Sequence, residues 1–547
     1  MKLTASDLIQ RYENTKSKKA NFDAVVDDVV KYLMPMRKSP TSPTTPGTKQ
    51  TLYIFDSDPV RSLLNLAAQL HALMTDPQSQ WFELETDNDD LNEQQDVQEW
   101  LEYRSRTLKR EMDRSNFDSQ IHEYYIDLPS VCTAGMFIKE SSRMDRVLNF
   151  HTLPYSELNI SEDEDGYIDT IYRDVRMTAR KMYQRWGQNA PKEALSAYEK
   201  GSPEEPFQAL HCVMPRHERR IGRKDNLNMP IADIWVDMQA KRTITEGGFH
   251  EWPFAISRWY VASGETHGRG PGIDNIGDIK TLNKMVKALL RTGQKIADPP
   301  LAVPHEGFLG DWKLYPGGLN YFDATSLRGN QPFYEIAPVN RNMPITLDLL
   351  QDRRDGVRAG FYTNQLQLVD RREMTAEEVR QRSLANMRII GPSFGRQQTE
   401  MLDPMVIRSY GICDRAGMFN GMETPRSLID AGASLKIRYV GPLAKAMKAQ
   451  EVQALTLSID TALSFHERHP EAQIMDNYDL DEAIRMVHDM DGAPASVLRK
   501  KRGENSVEQI RQVRLEQVQK QAELEQQNLA AQTNKTQAEG RKVLRSA

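Results

Sequence analysis

The stretch HGRGPGIDNIGDIKTLNKMVKALLRTGQKIADPP, residues 267–300, joins a glycine-rich turn to one long amphipathic pattern. Apolar residues recur at helical spacing after the turn and stop at Ala297, just before Pro299-Pro300. This periodicity predicts a helix over 274–297. No glycine is followed directly by a Lys-Ser or Lys-Thr pair, as a phosphate-binding loop requires, so a turn before a helix explains the glycines and a nucleotide-binding loop is not supported.

One face of this predicted helix is basic. Five cations spaced by four, three, four and four residues lie along it: Lys280, Lys284, Lys287, Arg291 and Lys295. A second helix, predicted over 346–359, carries an acidic stripe at Asp348, Asp352 and Asp355. Three interpretations stay open: a solvated basic face, two stripes that pair across the helices, or a cationic lining that a polyphosphate passes without sequence-specific contacts.

The composition limits the class of protein. A chain of 547 residues exceeds a single core, and roughly three or four compact regions are expected. The net charge of −6 excludes a uniformly basic nucleic-acid-binding protein, so any contact with DNA must be local. Cys132, Cys212 and Cys413 lie far apart, which favours reduced thiols in a cytosolic setting over disulfides or a zinc site. We expect no signal peptide, because the N-terminal residues contain no apolar h-region. We also expect no membrane span, because no uncharged apolar run approaches ~18 residues.

Several segments of the N-terminal half have clear local patterns. An amphipathic helix is predicted to end near Pro35, followed by a mobile loop over 38–50 that is rich in proline, serine and threonine. Asp58 followed by a proline predicts the start of a second helix, and a third helix is predicted over 92–115.

From about residue 132 to 237 the pattern favours strands. The sequence NISEDEDGYIDTIYR places the turn Asp165-Gly166 between two apolar stretches, which indicates a β-hairpin. The same tip partly fits a calcium loop, but Ser161 and Tyr172 stand where the first carboxylate and the bidentate glutamate belong. We therefore favour the hairpin.

Two further patterns follow the first basic helix. LYPGGLNYFD predicts a hairpin around the Pro-Gly-Gly of residues 316–318. Later, in DRREMTAEEV, Thr375 and Glu378 form a capping box that starts a helix. Arg371 and Arg372 precede the N-terminus of this helix, whose partial positive charge does not stabilise cations. A neighbouring group or a ligand must therefore explain the two arginines.

No motif in the sequence requires an active site. The chain has no GxxxxGK[ST] phosphate loop, no HExxH pattern and no GxSxG elbow, and His466 and His469 are interpreted as surface residues. We therefore predict no catalytic residues, no cofactor and no metal. The many acidic residues leave one rival hypothesis, a metal-dependent nuclease, which a magnesium- or manganese-dependent cleavage assay would detect.

Five stretches resemble the portal proteins, or head-to-tail connectors, of short-tailed bacteriophages. In chain order they are LLNLAAQLHALMTDPQSQWFELE, HGRGPGIDNIGDIKTLNKM, ADPPLAV, MTAEEVRQRSLANMRIIGPSFGRQQTEMLDPMVIRSYGI and LKIRYVGPLAKAMKAQEVQAL. They span about 62–455, in the order expected of the family. No single stretch is catalytic, and their ordered set carries the resemblance.

The resemblance implies an α+β, mainly helical fold that assembles as a ring, usually of twelve subunits. Its parts would be a wing (1–272 and 375–440), a first stem helix (273–297), a clip (298–344), a second stem helix (345–360), a tunnel loop (361–374), a helical crown (441–502) and a C-terminal helical barrel or disordered tail (503–547).

The resemblance also implies a location and partners. Such a ring is assembled in the host cytoplasm and sits in the virion, at one vertex of the capsid. A separate large terminase pumps double-stranded DNA through its channel, and the DNA leaves the same way at infection. Further expected partners are the major capsid protein, the scaffold, the tail adaptor and tail proteins, with no membrane. A capsid scaffold without a channel is disfavoured, because the glutamine-rich helical part occupies only the tail.

Site residues follow from the same resemblance. The tunnel loop would offer Arg371, Arg372, Gln365 and Gln367 to the DNA, and the basic stripe of the first stem helix would line the channel. The clip would dock its partners through aromatic side chains: Trp312, Tyr315, Tyr321 and Phe322. For the two arginines, a carboxylate of a neighbouring subunit is the alternative partner.

Overall fold

The structure is a computed structural model that describes most of the chain. The described residues are 3–35, 37, 39–41, 53–92, 94–220, 222–223, 225–298, 300–304, 313, 315–316, 318–322, 334–335, 343–363, 391, 393–469, 471, 474–490, 497 and 506–525. The chain divides into two compact units. The first comprises 1–83, 103–422 and 437–447, and the second comprises 84–102, 423–436 and 448–547.

Helices dominate the described residues, as expected for a mainly helical α+β protein. They are α1 (Ala5–Tyr32), α2 (Asp58–Met74), α3 (Asp89–Asn92), α4 (Gln95–Arg114), α5 (Phe117–Ser130), α6 (Ala179–Trp186), α7 (Lys192–Glu199), α8 (Pro271–Asp274), α9 (Ile276–Ala297), α10 (Met343–Gly360), α11 (Asp403–Arg415), α12 (Arg426–Ala431), α13 (Pro442–Arg468) and α14 (Leu480–Met490). A π-helical turn, Gln398–Leu402, precedes α11, and residues 507–525 are also helical.

The described strands form four sheets. They are β1 (Phe82–Thr86), β2 (Thr133–Glu140), β3 (Leu148–Leu153), β4 (Asn159–Glu162), β5 (Ile168–Thr178), β6 (Pro206–Pro215), β7 (Ile231–Asp237), β8 (Arg242–Phe249), β9 (Phe254–Arg258), β10 (Leu301–Pro304), β11 (Leu319–Phe322), β12 (Tyr334–Glu335) and β13 (Leu435–Tyr439). Their orders are β1-β13, β11-β10-β12, β3-β2-β9 and β4-β5-β6-β7-β8. The predicted strand-rich region is confirmed, although it also holds α6 and α7, which the sequence analysis did not predict.

The centre of the five-stranded sheet is buried on both faces. On one face Leu210 and Cys212 of β6 share a core with Leu8 of α1. On the other face Val213 packs in a cluster with Phe254 of β9. Strand β6 therefore reads as a continuous apolar run rather than as an alternating pattern, which is typical of a strand that is covered on both sides.

The predicted hairpin is confirmed as the antiparallel pair β4–β5. Asp163 closes its turn, because its Oδ1 accepts hydrogen bonds from the backbone N–H groups of Asp165 (3.0 Å) and Tyr167 (2.9 Å). Gly166 has a φ of 81°, which glycine adopts at no steric cost. One carboxylate oxygen of the acidic tip thus serves the turn itself.

The N-terminal helix is longer than predicted. It ends at Tyr32, close to the predicted end, but it begins at Ala5, well before the apolar pattern becomes regular. A capping box starts it: the N–H of Asp7 donates to Thr4 Oγ1 at 3.3 Å, and the N–H of Thr4 donates to Asp7 Oδ2 at 2.9 Å. The other two predicted helices are confirmed as α2, which starts at Asp58, and α4.

The glycine-rich turn before α9 is tightly packed. A Cβ at Gly268 would collide with the carbonyl oxygen of Cys132, and a Cβ at Gly272 would collide with that of Ser130. The glycines therefore let the turn approach the chain segment that follows α5, as the interpretation of a turn before a helix requires. The helix begins two residues later than predicted because Asn275 separates the short helix α8 from α9.

We expect Gly268→Ala to lower the free energy of unfolding of the first unit by about 1–3 kcal/mol, because the added methyl group has no space. Gly277→Ala is the matched control. Gly277 lies inside α9 and its Cβ would meet nothing within 4 Å, so alanine there should be neutral or stabilising by up to about 1 kcal/mol. Urea denaturation of both variants measures the difference, and equal stabilities would contradict the packing argument.

The hairpin predicted around residues 316–318 is wrong in its pairing. The strand that follows the turn is present as β11, but β11 pairs in parallel with β10, with Leu301 opposite Leu319. Strand β12 pairs with the other edge of β10 in the antiparallel sense. A turn-rich sequence indicates a change of direction, but not which strand the chain pairs with next.

The second unit is mainly helical where it is described, and it also includes residues of β1 and β13. Arg511, in the helix over 507–525, makes a bidentate ion pair with Asp481 of α14, at 2.5 and 2.7 Å. Apolar side chains of α13 are only partly covered: Leu455 is half-buried and Leu463 is exposed. Ile484 of α14 is also exposed.

Among the described residues, no helix combines the length and the apolar character that a membrane crossing requires.

Candidate functional site

Helix α9 is attached to the first unit by its buried face. Ile279, Leu282 and Val286 pack inward at successive turns. Asn283 lies between them, and its Oδ1 accepts the backbone N–H groups of Phe55 (2.8 Å) and Asp56 (3.1 Å). A polar side chain in this apolar stripe therefore ties α9 to the segment that leads into α2, since a buried amide requires partners.

The same segment holds α10 through two ion pairs. Arg354 Nε donates to Asp56 Oδ2 at 2.9 Å, and the Asp56 side chain is almost completely buried. Arg358 makes a bidentate pair with Asp58, at 2.9 Å for each bond, and these hydrogen bonds raise the pKa of Arg358 above its usual value. The entrance to α2 thus positions both predicted stem helices.

One of the three open interpretations, in which the basic stripe of α9 pairs with the acidic stripe of α10, is not observed among the described residues. Helix α10 supplies the cation of the described cross-pair, in which Arg353 Nη1 lies 3.3 Å from Asp278 Oδ1 of α9. Asp355 pairs within its own helix, 3.2 Å from Arg358. Arg353, which belongs to neither stripe, therefore joins the two helices.

The five cations of α9 have different environments. Lys280 forms an ion pair with Asp28 of α1, and Lys287 lies over the ring of Phe55, 5.1 Å from its centroid. Lys284 and Arg291 are exposed and Lys295 is half-buried. No carboxylate in the part of the chain that the structure describes lies within ion-pair distance of these last three. Lys280 thus has a structural partner, while Lys284 and Arg291 keep their charge available at the surface.

The far end of α9 and the start of α10 expose apolar side chains. The stripe that is buried at Ile279 and Leu282 continues along α9, but there Leu290 is 52% exposed. Leu347 of α10 is 49% exposed and lies beside it. The shallow apolar groove between them is lined by Leu289, Leu290, Gly293, Gln294, Ala297 and Leu347. An exposed apolar groove on a pair of helices is typical of a surface that another protein surface covers.

The predicted tunnel loop lies mostly outside the described residues, as do Gln365, Gln367, Arg371 and Arg372. Its first residues are described and well anchored. Phe361 is buried, and Tyr362, in the left-handed region at a φ of 56°, stacks on Trp259 with 6.2 Å between ring centroids. The capping box of Thr375 and Glu378 also lies outside the described residues.

The chain that returns from this region is anchored on β9. Ser257 Oγ donates to Gln397 Oε1, and Gln397 Nε2 donates to the carbonyl of Arg258 at 2.9 Å. Glu400, in the π-helical turn, accepts from Arg258 Nη2 at 2.7 Å. Both described ends of the region that would include the tunnel loop therefore meet β9 and the residue after it.

Arg258 is the centre of this anchor. Its side chain is 2% exposed and pairs with Glu400 and with Glu162 of the β4–β5 hairpin. Burial alone would lower its pKa, but the hydrogen bonds that it donates to the two glutamates raise the pKa above its usual value, so the guanidinium stays charged. This cluster could not be predicted from the sequence, because the residues around an arginine in a strand do not indicate partners that lie 96 and 142 residues away.

The predicted clip surface is described in part. Tyr315 is 58% exposed, and Tyr321 and Phe322 lie in β11. Trp312 lies outside the described residues, as do the loop over 42–50 and the basic cluster over 499–502.

Comparisons with known proteins cover nearly the whole chain. The family described as "Bacteriophage head to tail connecting protein" matches residues 5–498. The chain is 26% identical over 495 residues to a "Probable portal protein" of Bordetella phage BPP-1, covering 89% of this chain and 87% of that protein. It is 25% identical over 540 residues to a "Portal protein" of Salmonella phage epsilon15, covering 97% and 95%. The resemblance seen in the sequence is confirmed, and the chain belongs to the family of bacteriophage head-to-tail connecting proteins.

Proposed function

We propose that this protein is a portal subunit: copies of it form a ring at one capsid vertex, and double-stranded DNA enters and leaves through the axial channel. The family match over residues 5–498 carries this proposal. On this view the chain has no chemistry of its own, and a separate terminase supplies the work of pumping. Its place would be the virion, after assembly in the host cytoplasm.

Ring formation is supported by the apolar side chains that one copy leaves exposed. Leu290 and Leu347 lie in the groove between α9 and α10, and Ile484 is exposed in the second unit. In a closed ring one surface of each copy contacts the next copy. The neighbouring copy would therefore bury these side chains, and no other protein would be needed to cover them. Negative-stain images of the purified protein should show rings with a central hole, and a stable monomer would contradict the proposal.

DNA would pass the α9 helices of the ring through weak contacts. Lys284 and Arg291 have charges that no described carboxylate neutralises. An exposed ion pair contributes only about 1 kcal/mol, so a duplex can exchange partners as it moves instead of being captured. Rotational symmetry repeats each contact around the axis, and such phosphate contacts carry no sequence information.

The tunnel loop would add a second set of contacts from Arg371, Arg372, Gln365 and Gln367. We expect Arg371→Ala combined with Arg372→Ala to leave ring assembly intact and to lower the yield of packaged DNA, because phosphate contacts are lost. The same positions changed to lysine keep the charge and should retain most packaging. A packaging assay with purified rings measures both variants. Unchanged packaging by the alanine variant would remove the proposed role of the loop.

The clip would dock the terminase during packaging and the tail adaptor afterwards. Exposed Tyr315 supports this assignment, because a half-solvated aromatic ring suits an interface that forms and separates. Trp312, Tyr321 and Phe322 complete the proposed surface. The ring would also contact the major capsid protein and the scaffold at the vertex.

A further inference from the structure

The loop between β6 and β7 carries a cluster of exposed cations that the channel proposal does not use. Its exposed cations are Arg219, Arg220 and Arg223. Within the described residues, no carboxylate lies within ion-pair distance of the three arginine side chains. In a chain with a net charge of −6, such a concentration of unpaired positive charge requires a reason.

The base of this loop is firmly built. Arg216 Nη1 donates to the carbonyl of Leu227 at 2.6 Å and to Glu246 Oε1 at 2.9 Å, and its Nη2 donates to the carbonyl of Gly247 at 2.7 Å. The charge of Arg216 is thus neutralised by Glu246 of the neighbouring strand β8. Arg219, Arg220 and Arg223 have no such partner among the described residues.

A second set of bonds closes the loop. Asn228 Oδ1 accepts the backbone N–H of Arg220 at 2.8 Å, and Asn228 Nδ2 donates to Asp225 Oδ1 at 2.5 Å. A Cβ at Gly248 would lie 2.8 Å from the carbonyl of Asn226, so the loop also rests closely on β8. These contacts fix the backbone of Arg220 and the end of the loop before any partner binds, which reduces the entropy lost on binding.

We propose that Arg219, Arg220 and Arg223 form a second contact surface for duplex DNA, outside the channel. This inference rests on the proposed function, because a portal at the capsid vertex meets packaged duplex on its outer surface as well as in its channel. Guanidinium groups bind phosphate oxygens through paired N–H donors, so three exposed arginines with no described carboxylate partner fit a polyphosphate backbone.

The composition of the loop favours DNA over an acidic protein. Among its described residues from 216 to 226, none is an exposed large apolar side chain; Leu227 is the first along the chain. Stable protein interfaces have an apolar centre, whereas non-specific DNA contacts rely on charge alone. A ring repeats the loop in every copy, so that individually weak contacts add up on one DNA molecule.

Covalently closed circular DNA separates this surface from the channel, because a closed circle cannot thread through a ring. We would measure the affinity of purified rings for a relaxed closed circle over a range of salt concentrations. The variant carries Arg219→Ala, Arg220→Ala and Arg223→Ala. We expect about a tenfold loss of affinity for the circle, and a plot of log affinity against log salt whose slope is shallower by about 3 for each engaged loop.

Two controls make the result decisive. The first replaces three exposed lysines of α6 and α7 and of the residue after α7 by alanine: Lys181, Lys192 and Lys200. It removes the same net charge and should bind the circle as wild type does. The second changes the three arginines to lysine, and it should retain the salt dependence.

Two results would overturn the inference: wild-type affinity of the arginine-to-alanine variant for the circle, or an equal loss of affinity in the Lys181, Lys192 and Lys200 control. In the first case, co-assembly with capsid protein or scaffold would also be measured, and its loss in the same variant would assign the loop to an acidic protein. A failure of the portal proposal itself is distinguishable, because the wild-type chain would then form no rings at all.

Discussion

Replacing Arg258 by alanine is expected to lower the free energy of unfolding of the first unit by about 3–5 kcal/mol, because the change leaves Glu162 without its arginine and Glu400 with Arg396 alone. Glu400 and Glu162 both pair with the buried guanidinium. The side chain also donates to the carbonyls of Gly166 at 3.1 Å and Thr266 at 3.2 Å. One residue thus joins the β4–β5 hairpin, strand β9, the glycine-rich turn and the π-helical turn.

Lysine should not restore this stability, since a single ammonium group cannot reach four partners arranged around a planar guanidinium. The matched control is Arg269→Ala. Arg269 pairs with Glu265 at the surface, at 2.6 Å, and an exposed pair of this kind contributes only about 0–1 kcal/mol. Urea denaturation followed by tryptophan fluorescence compares the variants. Equal losses for Arg258→Ala and Arg269→Ala would show that the buried cluster has no special weight.

A change at Arg258 should also reach the tunnel loop. Glu400 and Gln397 hold the returning chain on β9. Glu400 binds the Arg258 side chain, whereas Gln397 binds the backbone carbonyl of Arg258, which alanine keeps. Because the Glu400 bonds are lost when Arg258 is replaced, we expect increased proteolysis in the region over 364–390 before the rest of the first unit becomes sensitive.

Replacing Leu290 by aspartate is expected to abolish ring formation while the isolated subunit stays folded. Leu290 is half-exposed in one copy, so a carboxylate there is solvated in the monomer and costs little. In a ring the same carboxylate would be buried without a partner, at a cost of several kcal/mol per interface. That cost repeats at every subunit contact. Leu347→Asp, on the other wall of the groove, should have the same effect.

Met144→Asp is the control for this change. Met144 is fully exposed in the turn between β2 and β3. Its replacement by aspartate exchanges a large apolar side chain for a charge, as Leu290→Asp does. Size-exclusion chromatography with light scattering, together with negative-stain images, gives the assembly state. Rings formed by Leu290→Asp as readily as by wild type would show that the groove between α9 and α10 is not an interface between copies.

Much of the local structure could be predicted from the order of residues. The periodicity of α9, the Asp-Pro start of α2 and the Asp-Gly turn of the β4–β5 hairpin all depend on residues a few positions apart, and all three are confirmed. The family could also be predicted, because the five stretches that resemble it, and their order along the chain, can be read directly from the sequence. The family match over 5–498 confirms it.

The arrangement of the candidate site depended on the tertiary structure. Asp56 and Arg354 are 298 residues apart, and Asp58 and Arg358 are 300 apart. No local rule connects them, because an ion pair forms only where folding brings two side chains within about 4 Å. The same limit explains why the hairpin expected around 316–318 became a parallel pair of β10 and β11.

The basic stripe of α9 illustrates the division. Helical spacing places its five cations along one face, and this follows from the amino-acid order alone. Which of them remain available follows from packing: Asp28 of α1 takes Lys280 and the ring of Phe55 lies under Lys287, while Lys284 and Arg291 face solvent. Helical periodicity is a property of neighbouring residues, whereas the availability of a charge is a property of everything packed around it.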